Sequence, residues 1–372
     1  MKLLKNLLLQ LRPHWWVSIV IWFLSVDAAQ AAVEMRVAIK KNISQIQIGS
    51  SSTAIVRDAA GRQIGAIAAM NAFAAEDNGN NVNLDQWRST QLIIEPMDNG
   101  YVWIGDKWYR GKIKVIGQGA GITVINLIDL EEYLYSVVGA EAIPTWPIEA
   151  LKAQAVAART YALYKRSNNK NPLFDVDTTT DTQVYKGLNS EYVTTHDAVN
   201  STRGEVLTYN GKLILAVFHS SSGGYTENVE DVWTSPLPYL RAVEDYDQNA
   251  PVFQWSKTFS PNELAQIISG VGNVKAMIPE KTTPRGRVVS MKVVGERGTK
   301  SISGTQLRQA LELRSTLFSV SYADGLFSIN GRGYGHGLGM SQWGSQSLAQ
   351  QGLDYQQILA HYYRNVRLST VK

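Results

Sequence analysis

Residues 146–167 read WPIEALKAQAVAARTYALYKRS. Proline is favoured in the first turn of a helix, and an acid there meets the positive end of the helix dipole, so Pro147 and Glu149 mark a helix start. Ile148, Leu151, Ala155, Ala158 and Ala162 recur at helical spacing on one side. A stripe this rich in alanine predicts a helix packed very close to its neighbours. The preceding stretch DLEEYLYSVVGA, 129–140, predicts a second helix. Asp129 would cap it, with Glu132 completing the capping box and Gly139 as the stop. The connector GAEAIPTW between the two carries Glu141.

Outward from this pair the pattern changes to strands. Toward the N-terminus, Val37 and Ile39, Ile46 and Ile48, then Ile55 alternate with polar residues, and GKIKVIG and GITVINLI continue the period. Residues 74–90 show little apolar period and read as a loop, and 66–95 as an insertion or loop. Toward the C-terminus, Asn210-Gly211 between two β-rich runs marks a hairpin whose second strand ends at His219. SPNELAQIIS and DYQQILAHYY each open with a capping box, and GRVVSMKVVG reads as a strand. Strands and helices mix without regular βα alternation. The expected class is α+β, a single large domain over 32–372 in which mixed strands and the alanine-rich helix surround a substrate groove.

The N-terminus differs in character. Lys2, Lys5 and Arg12 precede an apolar run and an Ala29-Gln30-Ala31 exit, the pattern of a cleaved export signal over 1–31, with a retained anchor as the alternative. The uncharged run from Pro13 to Val26 is shorter than the ~20 residues a membrane span needs. No later segment reads as a span. The chain has no cysteine, which excludes a thiolate metal site and leaves stability to packing alone. The net charge of +4 suits an anionic surface, and the export signal makes nucleic acid an unexpected partner.

In GRGYGHGLG, 331–339, glycine occupies every second position. Read as a strand, the glycines share one bare face, and Arg332, Tyr334, His336 and Leu338 share the other. The run lacks the GxGxxG spacing of a dinucleotide loop. Glu141 lies between a negative helix end and a positive one, with Lys152 and Arg159 seven residues apart on the next helix, placed to hold a polar or anionic substrate. Burial, dipole and cations act on its pKa in opposing senses. His219 opens a Ser-Gly-rich loop that lacks a nucleophile elbow and reads as pocket lining. His219 and His336 have no metal-ligand spacing, and no metal or cofactor is expected.

Four stretches carry a resemblance: YLYSVVGAEAIPTWPIEALKAQAVAARTYAL, DTQVYKG, HSSSGGYTENVEDVW and GRGYGHGLGMSQWGSQSLAQQG. In that order they resemble the stage II sporulation protein D (SpoIID/LytB) family over roughly 100–365. The resemblance implies a lytic transglycosylase of peptidoglycan. Such an enzyme cuts between N-acetylmuramic acid and N-acetylglucosamine and leaves a 1,6-anhydro end, with Glu141 as acid and base. Where family members read Glu-Met-Pro, this chain reads Glu141-Ala142-Ile143-Pro144. One carboxyl group suffices, because the sugar's own 6-hydroxyl attacks the anomeric carbon and no water need be activated. Positioning and charge stabilisation then fall to Lys152, Arg159, His219, Ser222, Tyr334, His336, Ser341 and Gln342. The lactyl carboxylate of peptide-free muramic acid is a natural partner for Lys152 or Arg159. The expected partners are glycan strands and a cell-wall amidase. The alternative is a non-catalytic wall-binding protein that stimulates an N-acetylmuramoyl-L-alanine amidase, and a hydrolase leaving reducing ends is a third.

Overall fold

Residues 34–129 alternate apolar and polar side chains in runs too short for helices, and they fold as strands. The computed structural model describes residues 33–178, 182–233 and 235–371; the export signal read at 1–31 lies outside them. Residues Glu34–Val371 form one compact unit of the α+β class.

Two sheets make its N-terminal part. The larger has seven strands in the order β13-β1-β12-β11-β8-β3-β4: β1 (Glu34–Ile43), β3 (Ala54–Arg57), β4 (Gln63–Ile67), β8 (Gln91–Pro96), β11 (Lys112–Gly117), β12 (Ile122–Asp129) and β13 (Val176–Asp177). Its pairs are antiparallel except β1 with β13. The second has six strands, β10-β9-β2-β5-β6-β7: β2 (Gln45–Ser50), β5 (Ala72–Asn78), β6 (Asn81–Leu84), β7 (Trp87–Ser89), β9 (Val102–Ile104) and β10 (Lys107–Tyr109). Val37 and Ile48 are buried as expected. In β3 the inward residues are Ala54 and Val56 rather than Ile55, because a shift of one residue exchanges the faces of a strand.

Residues 74–90 are not a loop. They hold most of β5 and all of β6 and β7, with Ala75, Val82 and Leu84 fully buried. Three strands of three to seven residues, joined by turns at Gly79-Asn80 and Asp85, leave too few apolar positions for the period to register.

Strand β12 runs directly into helix α1 (Leu130–Glu141), and Asp129 ends the one and caps the other, accepting from the N–H groups of Glu131 and Glu132. Gly139 does not stop α1. It lies inside the last turn, where a Cβ would stand 2.0 Å from the Ser190 carbonyl oxygen, so glycine serves close packing there rather than termination. Helix α2 (Ile148–Asn168) is the centre of the fold. From Ala150 to Leu163 every side chain except Lys152 is buried, the signature of a helix packed on all sides. Around it stand α1, α3 (Val193–Ser201), α7 (Gln342–Gln350), α8 (Tyr355–Tyr362) and β14 (Glu205–Tyr209).

The Asn210-Gly211 hairpin forms, both residues at positive φ, joining β14 to β15 (Lys212–Leu213). The ladder then breaks. Residues 214–217 carry no strand, and β16 (Phe218–His219) pairs in parallel with β23 (Met340–Ser341). The short helix α4 (Val229–Val232) follows. A subdomain with its own core comprises β17 (Gln254–Phe259), α5 (Pro261–Ile267), β18 (Val274–Thr282), β19 (Val288–Gly295), β20 (Gly298–Ser303), α6 (Gly304–Ala310), β21 (Phe318–Ala323) and β22 (Leu326–Arg332). The predicted capping boxes at Ser260/Glu263 and Asp354/Gln357 are both closed. Strand β24 (Arg367–Thr370) pairs with β14. No helix among the described residues is long and apolar enough to cross a membrane.

Candidate functional site

Helix α1 ends on Glu141 because Ala142 is extended and Ile143 precedes Pro144, where helical backbone is disfavoured. The carboxyl group is half-buried. Its Oε1 accepts from the Val184 N–H at 2.8 Å and its Oε2 from the Gln342 side-chain amide at 3.4 Å. Burial raises its pKa above the usual glutamate range, opposed by the Val184 N–H, the Gln342 amide and the charge of Lys186. The negative end of α1 acts in the same sense as burial. The sign that the sequence leaves open is therefore upward.

Val184 reaches Glu141 because its neighbours are tied to the two central helices. Gln183 donates to the Ala158 carbonyl and accepts from the Tyr133 hydroxyl, and the Lys186 N–H donates to Ser136 Oγ. The side chain of Lys186 is exposed and makes no ion pair among the described residues.

The glycine run is not a strand. Between β22 and β23, Gly333, Gly335, Gly337 and Gly339 all take positive φ, so the chain coils rather than alternating two faces. At Gly337 a Cβ would lie 2.3 Å from Nη2 of Arg287, and at Gly339 2.0 Å from the Val217 carbonyl oxygen. The glycines therefore let this segment lie directly on the His219 strand and on Arg287. Leu338 is buried in the core while Arg332 and Tyr334 are exposed, which separates the row expected on one face.

This coil brings the two histidines together, with ring centroids 5.2 Å apart. The peptide groups of Leu338 hold both. Its carbonyl accepts from Nδ1–H of His219 at 3.0 Å, and its N–H donates to Nδ1 of His336 at 3.0 Å. Burial, then the nearby His336 and Arg287, push His219 well below the ordinary histidine range. His336, half-buried beside Trp233, is pushed down to about 4 by burial, Arg287 and Arg308. Both rings are neutral at pH 7 and add no positive charge to the site. Nε2 of His219 is buried and unpartnered. Because His219 pairs with Ser341 and Gln342 follows it, the histidine pair and Glu141 are joined through one short stretch of chain.

Other candidates are placed elsewhere. Arg159 is fully buried, with Nη2 2.6 Å from Glu131 Oε2 and further bonds to the carbonyls of Val199 and Glu205. It is a structural cation inside the helix cluster and cannot meet a substrate. Lys152 pairs with Glu149 at 2.8 Å and lies over the Tyr355 ring. Ser341 caps α7, accepting from the Gly344 N–H, and Ser222 accepts from the Gly224 N–H; both are buried. Tyr334 is 45 % exposed, and only its peptide group joins Ser221. A cavity of about 440 Å³ at the C-terminal end of α2, lined by Tyr164, Lys165, Phe174 and Asp177, does not include Glu141.

Residues that sequence reasoning passed over also meet here. Val184 and Lys186 were within the quoted DTQVYKG stretch but carried no assigned role. Arg287 gave no local signal. Its side chain is fully buried, donates to the Ser222 carbonyl at 2.7 Å and faces Glu227 at 3.7 Å; burial lowers its pKa to about 10, so it stays charged at pH 7. It ties the subdomain to the His219 loop. Among the described residues no group of three or more histidine, aspartate or glutamate side chains is arranged to hold a metal ion.

A family model described as stage II sporulation protein matches residues 118–209, the stretch that contains Glu141, Val184 and Lys186. A second, described as a domain of unknown function, matches 238–339 and contains Arg287 and His336. The chain is 36% identical over 283 residues to an uncharacterized protein of Brachyspira hyodysenteriae, covering 74% of this chain and 75% of that one. It is 36% identical over 270 residues to stage II sporulation protein D of Bacillus subtilis, covering 66% of this chain and 76% of the relative. It is 33% identical over 292 residues to the amidase enhancer of the same organism, covering 64% of this chain and 40% of that protein.

Proposed function

The chain belongs to the stage II sporulation protein D family, and on that premise we propose that it is an exported lytic transglycosylase that cleaves peptidoglycan glycan strands with Glu141 as its acid and base. Relatives named for stage II sporulation and for amidase enhancement support a sporulation- or cell-wall-related role.

The observation that carries the reading is the state of Glu141. Burial raises its pKa, so more of the carboxyl group is protonated near neutral pH than for an exposed glutamate. Among the described residues no other carboxyl group hydrogen-bonds or ion-pairs with it. A lone acid of this kind suits a reaction that supplies its own nucleophile. Glu141 gives its proton to the glycosidic oxygen as the bond to the muramyl anomeric carbon breaks. The resulting carboxylate takes the proton of the muramyl 6-hydroxyl as that oxygen closes on the anomeric carbon. The product is a 1,6-anhydro ring, and the enzyme regains its proton. General acid–base help of this sort is worth about 10²–10⁴-fold. The Val184 N–H and the Gln342 amide steady the carboxylate between the two transfers.

The anion-reading role expected of Lys152 or Arg159 passes to Lys186. It is the cation whose charge acts on Glu141, and no carboxylate occupies it among the described residues. A lactyl carboxylate on peptide-free muramic acid fits it. Half-buried His336, neutral at pH 7, is left to bind a sugar hydroxyl or acetamido group, with buried His219 and its serine loop packed behind it.

The relative named amidase enhancer favours a second reading, a non-catalytic peptidoglycan-binding protein that stimulates an amidase. Purified glycan strands incubated with the protein alone, and intact peptidoglycan incubated with an amidase with and without it, separate the two. Strand cleavage by the protein alone supports the first. Faster amidase action without any strand cleavage supports the second and overturns the first.

A further inference from the structure

Two tryptophans lie in the segments that build the acid site, Trp146 five residues after Glu141 and Trp343 directly after Gln342, without contributing to the hydrogen bonds of the carboxyl group. Trp146 sits in the turn between α1 and α2, its backbone N–H bonded to the Ile143 carbonyl at 2.9 Å, directly before Pro147, the N-cap of α2. Trp343 directly follows Gln342, the residue that donates to Glu141, and its N–H is bonded to the Ser220 carbonyl at 3.1 Å. Their rings meet edge to face, centroids 4.9 Å apart and planes at 65°, within the range where aromatic pairs hold each other in place. Both are partly exposed. Neither indole N–H has a protein acceptor among the described residues, whereas those of Trp87 and Trp255 donate to the carbonyls of Ile64 and Gly333.

These features describe a packed pair of aromatic rings whose indole donors are unpartnered among the described residues, carried by the chain segments that hold Glu141 and Gln342. A pyranose ring with equatorial substituents presents an apolar face of C–H groups and a polar rim. An aromatic face covers the first, and an indole N–H can reach the second. Rings locked by packing and by backbone turns bind without first losing rotamer freedom. We propose that Trp146 and Trp343 form a stacking platform that seats one pyranose ring of a β-linked amino-sugar polymer next to the bond that Glu141 cleaves. The platform rests on the glycan-cleaving reading and adds to it the residues that set the height and tilt of the sugar over the acid. They are positioning residues. Shifting the sugar by an ångström should lower turnover even where binding survives.

The test uses the full chain carrying Glu141→Gln, so that purified glycan strands can bind without being cut. On that background Trp146→Ala and Trp343→Ala are each expected to weaken binding tenfold or more while remaining folded, with a small fall in melting temperature from the lost ring pair. Trp343→Phe, which keeps a ring, is expected to recover most of the affinity. Strand binding by the parent is expected to change indole emission, and the Trp146→Phe, Trp343→Phe double variant to lose most of that change; this readout holds even if the alanine variants fail to fold. Parental affinity in the alanine variants, or an undiminished emission change in the double variant, overturns the platform and leaves the glycan reading standing. A parent that does not bind strands at all overturns both.

Discussion

The side-chain amide of Gln342 lies 3.4 Å from Oε2 of Glu141, across 201 residues of sequence. It links the last turn of α1 to the first turn of α7 and, through the adjacent Ser341, to the histidine pair. The bond is long for an N–H to carboxylate contact, so it tunes the acid more than it anchors it. Because the amide favours the charged form, Gln342→Ala is expected to raise the pKa of Glu141 further. The limb of the pH–rate profile that requires a protonated acid should move to higher pH, with a modest loss of kcat. A limb that stays in place or moves down would show that the amide does not act on the acid.

Lys186 acts on the same group through charge. Lys186→Met is expected to move that limb in the same direction. It should also raise KM for strands whose lactyl carboxylates are free more than for strands bearing stem peptides. Equal effects on both substrates would remove Lys186 as the anion reader.

Arg159 tests the opposite assignment, a structural one. Removing one partner of a buried ion pair strands the other, at a cost of about 3–5 kcal/mol. Arg159→Leu leaves Glu131 unpaired inside the helix cluster and is expected to lower stability by that order in urea titrations. Lys152→Ala, whose ion pair with Glu149 is partly exposed, should cost roughly 1 kcal/mol or less. A folded, stable Arg159→Leu protein with selectively weakened glycan binding would reverse the assignment.

Acid sensitivity follows from the histidines. His336 is held down at about 4, below its value of about 6.5 in the unfolded chain. Below pH 6.5 the unfolded chain therefore binds more protons, and stability falls as the pH drops from about 6.5 to about 4 and then levels. The contribution at stake is up to about 3 kcal/mol for this ring, and His219, also pushed down, adds in the same sense. Denaturant midpoints at pH 7.5 and pH 5 should differ in the parent, and less so in His336→Asn. An equal difference in the variant would place the acid-sensitive group elsewhere.

What was legible in the sequence was local. The Asn210-Gly211 turn, the boxes at Ser260 and Asp354, the inward faces at Val37 and Ile48 and the alanine stripe of α2 each depend on residues a few positions apart, and each formed, while the hairpin's second strand stops at Leu213 and Ile55 faces away from the core. The motif order also pointed to the family, and Glu141 and Gln342 lie together. What failed depended on distant partners. Gly139 looked like a helix stop because its reason, the Ser190 carbonyl, is 51 residues away in sequence. Arg159 looked like a substrate ligand because helical position does not reveal a buried Glu131. The glycine run has a strand's period, yet positive φ at four of its glycines makes a coil, and a period of two does not distinguish the forms. Lys186 had no local signal that set it apart from other exposed lysines.

The central claim is that Glu141 alone carries the acid–base chemistry while the muramyl 6-hydroxyl supplies the nucleophile. Mass analysis of the ends produced from purified glycan strands tests it most directly. Anhydro-muramyl ends, one water lighter than hydrolytic ends, are expected from the wild type and should vanish in a Glu141→Gln protein that melts at the wild-type temperature. Reducing ends from the wild type, or anhydro ends persisting in the variant, would contradict it.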